Sequence, residues 1–177
     1  MNKLITYITE EDFNKILKAE KKRDFKLCYL FGFASGLRIS EIIGYKRKIG
    51  ECIKPVNEEQ IDIQAKTIKV IGGKGMKDRI VPLFPGFKDE YLKLLPINIK
   101  RTTLQAHFKQ LCKKVLNKDC NFHMLRHSFG VMSVKRKVPL PYIQQALGHS
   151  RLDTTGIYTQ ASPGDMLEGY KNAWGNI

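Results

Sequence analysis

Two imidazoles, a guanidinium and a phenol crowd the second half of this chain. His123-Met124-Leu125-Arg126-His127 is followed by Leu147-Gly148-His149-Ser150 and then by Asp153-Thr154-Thr155-Gly156-Ile157-Tyr158. Phe122, Leu125, Phe129 and Met132 recur at helical spacing and predict one apolar stripe. Residues three and four apart are neighbours on a helix, so His123, Arg126, His127 and Gly130 fall on the other face. This helix has a side for the core and a side presenting a cation and two imidazoles. With His149 and Tyr158 the stretch holds a nucleophile, proton-transfer groups and a phosphate clamp. That combination points to phosphoryl transfer to a tyrosine.

Further cations stand upstream. Arg38, in Gly36-Leu37-Arg38-Ile39-Ser40-Glu41, sits where one helix ends and another begins, a poor place for a merely solvated charge. Glu41 is close enough to hold its guanidinium; a surface Arg–Glu pair of small energetic consequence is the alternative. The turn Gly72-Gly73-Lys74-Gly75-Met76-Lys77-Asp78 is glycine-rich with two lysines. It precedes a strand and not a helix, so it is no P-loop. It either cradles phosphate or is an ordinary hairpin tip, and in both cases it holds Lys74 and Lys77 out towards a phosphate backbone. Lys77 and Arg79 read as phosphate contacts or as plain surface charge. Taken alone, Tyr158 also suits a core position, and His127, beside Arg126, reads as a structural member. Cys120, His123 and His127 have the spacing of half a zinc site, but only Cys112 lies near as a fourth ligand and its spacing is unsuitable. No metal is expected.

The elements that must position these groups follow from periodicity. Thr9 caps a helix whose first turn is acidic and which buries Phe13, Ile16 and Leu17. Phe25 to Ala34 is apolar nearly all round, which predicts a central buried helix, with Gly36 supplying a left-handed terminus. Residues 61–63, 67–71 and 79–83 read as three short strands. Pro82 to Pro96 links them to the next helix through a Pro85-Gly86 turn and a short helix around Tyr91-Leu92. Thr102 or Thr103 then caps a helix through Leu104, Phe108, Leu111 and Val115 with Lys109, Lys113 and Lys114 outside. Asn117-Lys118-Asp119 makes a turn before the His123 helix. Pro139-Leu140-Pro141 opens a further helix that Gly148 stops. Met166, Leu167, Tyr170 and Trp174 share one face of a tail helix at about 163–175, which docks on its own domain or on a neighbour's. The expected fold class is α+β, mainly α-helical, with a small three-stranded antiparallel sheet.

Composition agrees with that chemistry. The 177 residues carry a net charge of +14 with an isoelectric point near 9.7, and the lysines and arginines are spread along the whole length. A globular domain this basic most readily faces nucleic acid. With 42% apolar residues the chain can fill one core, which excludes a disordered tail. The four cysteines form no CxxC pair or disulfide framework, and no apolar run approaches the ~20 residues a membrane span needs. A reduced, cytoplasmic setting without membrane contact is expected.

Taken in order, GLRISE with Arg38, GKGMKDRIVPL with Lys74, HMLRH and LGHSRLDTTGIY resemble the catalytic domain of the tyrosine recombinases, the Xer, phage-integrase and Cre group. The resemblance runs from Thr9 through Tyr158. It implies that Arg38 and Arg126 grip a scissile phosphate and that Lys74 protonates the leaving 5′ oxygen. His123 and His149 become the proton-transfer and hydrogen-bonding imidazoles, Tyr158 the nucleophile, and Glu41 the group that orients Arg38. It further implies double-stranded DNA as partner and recombination or integration through a 3′-phosphotyrosine without metal, ATP or other cofactor. Four protomers would assemble on two duplexes, with the tail helix a candidate for exchange between neighbours. A topoisomerase IB-like nicking and closing enzyme, and a non-cleaving accessory protein of the same fold, are the rival readings. Three departures accompany the match. Met1 lies close before the first catalytic-domain helix, so residues 1–177 are expected to be catalytic domain alone, without the N-terminal DNA-clamping domain. Gly156 loosens the segment before Tyr158, and Lys137 stands where many relatives turn on a glycine.

Overall fold

The computed structural model describes residues 7–46, 52–72 and 78–148. Lys74, Lys77, His149, Tyr158, Gly156 and the tail helix expected near 163–175 lie outside the described residues.

Helix α1 (Glu10–Ala19) starts as its sequence predicts: the Thr9 hydroxyl accepts from the Asp12 amide at 3.2 Å, and three acids occupy the first turn. It buries Phe13 and Ile16, and Phe13 stacks on Phe33 of α2 (Arg23–Ala34) with ring centroids 3.9 Å apart. Helix α2 buries Phe25, Leu27, Cys28, Tyr29, Phe31 and Phe33, the outcome expected of a segment apolar on every side. Gly36 follows with φ +69°, and the Leu37 amide donates back to the Phe31 carbonyl at 3.1 Å. No other residue suits that position, because a Cβ there would lie 2.6 Å from Cδ1 of Phe129.

The chain then forms α3 (Ile39–Ile43) and a two-stranded ribbon of β1 (Tyr45–Lys46) with β2 (Cys52–Ile53). Only the three-stranded sheet was expected; the ribbon strands are two residues each, too short to leave a periodic signal. That sheet consists of β3 (Ile61–Asp62), β4 (Thr67–Val70) and β5 (Arg79–Pro82), antiparallel in that order. The β4–β5 register pairs Ile68 with Val81 and Val70 with Arg79. Alternation puts Ile68, Val70, Val81 and Arg79 on the buried face and leaves Ile80 56% exposed.

Helix α4 (Arg101–Leu116) begins before the predicted threonine caps. Lys100 holds the cap position without a side-chain bond, and Thr102 and Thr103 are exposed in the first turn. Leu104, Phe108 and Cys112 face the core while Lys109, Lys113 and Lys114 face solvent, as expected. Helix α5 (His123–Lys135) carries the HMLRH motif and α6 (Leu140–Leu147) ends at Gly148, φ +57°. Between them Lys137 takes φ +59°, a left-handed turn made without glycine. Helix α2 packs against α5, α1 against α4, and β5 against α6, so the strand carrying Arg79 reaches the end of the last described helix. The fold is α+β and mainly helical.

Candidate active site

The junction after α2 fixes Arg38. Its own amide donates to Oε2 of Glu41 at 2.7 Å, so the first turn of α3 is closed by the carboxylate three residues on. The same carboxylate accepts Nη1 of Arg38 through Oε1 at 3.0 Å. Glu41 is 2% exposed, which removes the surface-pair alternative: this is a buried anion and not a solvated one.

Its second partner is Arg79, expected as a DNA contact or a surface charge. The structure places Arg79 in the interior, 8% exposed, with Nη1 and Nη2 donating to Oε1 and Oε2 of Glu41, both at 2.9 Å. Its Nε donates to the Ala146 carbonyl at 2.8 Å. The guanidinium is committed to the protein, so it is no phosphate contact. The signal that could have found this is the alternation of β5, which puts Arg79 on the same face as Val81. Burial alone would raise the Glu41 carboxyl, but hydrogen bonds and charge from Arg79, joined by the Arg38 amide and charge, hold it below the usual range.

Helix α5 brings the second cation. Leu125 and Phe122 enter the core as predicted, with Phe129 and Met132 half-buried against it. Arg126 was expected on an open face and is instead 3% exposed. The Gly36 turn and the end of α6 close over it, and two main-chain carbonyls replace water: Nη1 donates to Gly36 at 2.5 Å and Nη2 to Leu147. Nη2 of Arg38 points at that same Leu147 carbonyl from 3.4 Å. The two guanidiniums therefore converge on one oxygen, just ahead of His149 in the chain.

His123, one turn before Arg126, keeps its solvent access. Partial desolvation, and then the charges of Arg126 and Arg38, push its pKa below the ordinary imidazole value. That influence places all three groups within electrostatic reach, and His123 is a neutral imidazole at pH 7. His127 is half-buried, and its pKa is also lowered, by burial and then by the charge of His123.

Arg38, His123 and Arg126 line one cleft of about 130 Å³ together with Ser40, Arg101 and Gln105. Arg101 escaped the sequence reading because α4 was expected to start after it, and Gln105 because nothing in its local pattern marks it. Arg101 stands in the first turn of α4, its guanidinium 5.9 Å from the Tyr45 ring centroid. Two guanidiniums and a neutral imidazole around a small polar cleft can bind an oxyanion bidentately and exchange a proton beside it. The half-zinc spacing does not gather: Cys120 is buried, as is Cys112, while His123 faces the cleft. Among the described residues, no three His, Cys, Asp or Glu side chains group to hold a metal. Nor is any helix among them long and apolar enough to cross a membrane.

Comparison with known proteins agrees with this geometry. The Phage integrase family pattern matches residues 96–164. Tyrosine recombinase XerA of Thermococcus onnurineus is 32% identical over 176 residues, covering 88% of this chain and 58% of the relative. XerA of Pyrococcus horikoshii is 31% identical over 185 residues, covering 94% and 60%. The chain thus spans about three-fifths of the length of the curated relatives it matches. In three dimensions it resembles the crystal structure of XerA recombinase at TM-score 0.71 and 22% identity, over 98% of this chain and 65% of that one. The catalytic domain of bacteriophage HP1 integrase matches at TM-score 0.66 and 20% identity, over 94% of both chains. The chain carries the Phage integrase family pattern over residues 96–164 and has the fold of the catalytic domain of tyrosine recombinases.

Proposed function

We propose that this domain cleaves and rejoins double-stranded DNA in site-specific recombination or integration, with Tyr158 as nucleophile. The observation that carries the reading is the convergence of Arg38 and Arg126 on one point beside a neutral His123. A phosphodiester entering the cleft would take over the donors that now reach the Leu147 carbonyl.

The chemistry calls for these side chains. A phenol of pKa about 10 is ionised to about one part in a thousand at neutral pH, so it needs a base or nearby cations. Tyr158 Oη attacks phosphorus and expels the 5′ oxygen, giving a 3′-phosphotyrosine and a free 5′ hydroxyl. Negative charge grows on the non-bridging oxygens, where two permanently charged forks stabilise it. His123, uncharged, can accept the phenolic proton; His149 donates a hydrogen bond to the phosphate. Lys74 protonates the leaving alkoxide. One phosphodiester replaces another, so the reverse attack by a 5′ hydroxyl rejoins DNA without an external energy source.

The wider assembly belongs to the same proposal. DNA is the partner favoured by a net charge of +14, with Lys77 a phosphate contact. A XerH site-specific recombinase, one of the structural neighbours, is bound to a DNA substrate in its crystal structures. Strand exchange would place four protomers on two duplexes, with the face of Met166, Leu167, Tyr170 and Trp174 joining neighbours. The setting is cytoplasmic.

The test is a nicked suicide duplex from the native attachment region, incubated in EDTA with wild-type protein and with Tyr158→Phe. A covalent protein–DNA band with wild type alone supports the proposal. Relaxation of supercoils without strand exchange would reassign the chain as a topoisomerase IB-like nicking and closing enzyme. Salt-sensitive binding to that site with no adduct would make it a non-cleaving accessory protein.

A further inference from the structure

Arg79 does not line the cleft that holds Arg38, His123 and Arg126, yet it grips the group that holds Arg38. Both oxygens of Glu41 receive its fork at 2.9 Å, and Oε1 and Oε2 also receive Arg38 Nη1 and the Arg38 amide. One buried anion is therefore shared by two guanidiniums. Only Arg38, whose side chain is 30% exposed against 6% for Arg79, opens onto the cleft. With two cations facing one carboxylate, a single positive charge is left over, and it lies on the cleft side. Take Arg79 away and Glu41 keeps its full charge for Arg38 alone. In a desolvated site that attraction is far stronger than in water, so Arg38 would close into a neutral pair and offer little to an entering phosphate.

Nothing about Arg79 itself is adjustable. Its Nε is tied to the Ala146 carbonyl at 2.8 Å, and a Cβ at Gly148 would lie 3.1 Å from its Cδ, so the side chain is packed between β5 and the last turn of α6.

We propose that Arg79 is a positioning residue of this active site, which neutralises Glu41 so that Arg38 remains available to the scissile phosphate. The inference rests on the DNA-cleavage reading above. It adds to that reading a buried residue that never meets DNA.

The experiment compares the full chain with Arg79→Met, Glu41→Gln and the double variant. Single-turnover adduct formation on the nicked duplex is followed at saturating protein, at a temperature where circular dichroism shows each variant folded. DNA affinity is measured separately by fluorescence anisotropy. Displacing Arg38 by about an ångström should slow Arg79→Met about 100-fold, with DNA affinity held to within about twofold because Arg79 touches no phosphate. With Gln at position 41 there is no charge left to neutralise, so the double variant should cleave about as fast as Glu41→Gln alone and faster than Arg79→Met. Coupling of that kind marks residues acting through one another.

An Arg79→Met protein with the wild-type rate overturns the proposal. So does a double variant in which the two losses multiply, which is what a merely structural arginine would give. Should Arg79→Met fail to fold, the comparison of the double variant with Glu41→Gln decides, since neither leaves a buried carboxylate unpaired. A DNA-free readout separates this idea from the cleavage reading. The nitrogen-15 resonance of the Arg38 guanidinium should move between wild type and Arg79→Met and be insensitive to the same change in a Glu41→Gln background. If wild type forms no adduct but Arg38 behaves this way, the cleavage reading has failed and the role of Arg79 stands. An Arg38 resonance indifferent to Arg79 overturns the role whatever the adduct assay shows.

Discussion

Replacing Glu41 by alanine should be among the most destabilising single changes available in this domain. The carboxylate is 2% exposed and accepts hydrogen bonds from the Arg38 amide at 2.7 Å, from Arg38 Nη1 at 3.0 Å, and from both ends of the Arg79 fork at 2.9 Å. Deleting it leaves Arg79, 8% exposed, as a buried cation whose remaining hydrogen bond among the described residues is to the Ala146 carbonyl. Removing one partner of a buried pair costs about 3–5 kcal/mol, most of it the penalty of the stranded charge. For a domain of this size that corresponds to a melting point lower by about 6–20 °C. Glu41→Gln keeps an acceptor for the fork and should lose less. The pair also sets an acid limit. Because the native Glu41 carboxyl lies below its unfolded value of 4.5, its contribution is complete above that pH and is lost as pH falls through the lower native value. Urea unfolding followed by circular dichroism at pH 7 and at several steps below pH 5 measures both. Wild type should weaken over the acid steps more steeply than Glu41→Gln. A loss under about 1 kcal/mol for Glu41→Ala at pH 7 would refute the buried-anion account.

Three further outcomes follow from the same geometry. Gly36→Ala meets the Phe129 ring at 2.6 Å in a backbone with φ +69°, so it should destabilise by about 2–4 kcal/mol in a thermal or urea melt, left-handed strain and overpacking combined. Lys137→Gly relieves a φ of +59° and should stabilise by about 0.5–1 kcal/mol after the extra unfolded-state entropy of glycine, with adduct formation unchanged. In proton NMR the His123 ring should titrate below 6.5, and Arg126→Gln should raise it by removing one of the two facing charges; between the ordinary and the native value the unfolded chain binds the proton and the native one does not, so acidification through that window favours unfolding.

Much of this protein was legible in the order of its residues. Local signals suffice where the physics is local: Thr9 before three acids starts a helix, the all-apolar run from Phe25 buries one, and Gly36 and Gly148 end two in left-handed turns. The proposed chemistry rests on the same kind of signal, because HMLRH and GLRISE supply side-chain types that suit phosphate binding. Helix α4 shows how such signals mislead: two threonines have the type of caps, yet the helix starts at Arg101, which puts that arginine in its first turn and on the cleft with Gln105. What tertiary structure alone decided is the state of each charge. Arg126 lies on the polar face of its helix, but Gly36 and Leu147 approach from elsewhere in the fold and accept its donors in the buried interior. Arg79 looked like one more cation in a very basic chain. Its neighbour across the fold, Glu41, is far away in sequence, and pairing at that range leaves no periodicity to read. Sequence fixes which groups exist and which face of an element they occupy, since those follow from backbone geometry over a few residues. Whether a guanidinium meets water, a carbonyl or a carboxylate depends on which distant element closes over it, and only the folded chain settles that.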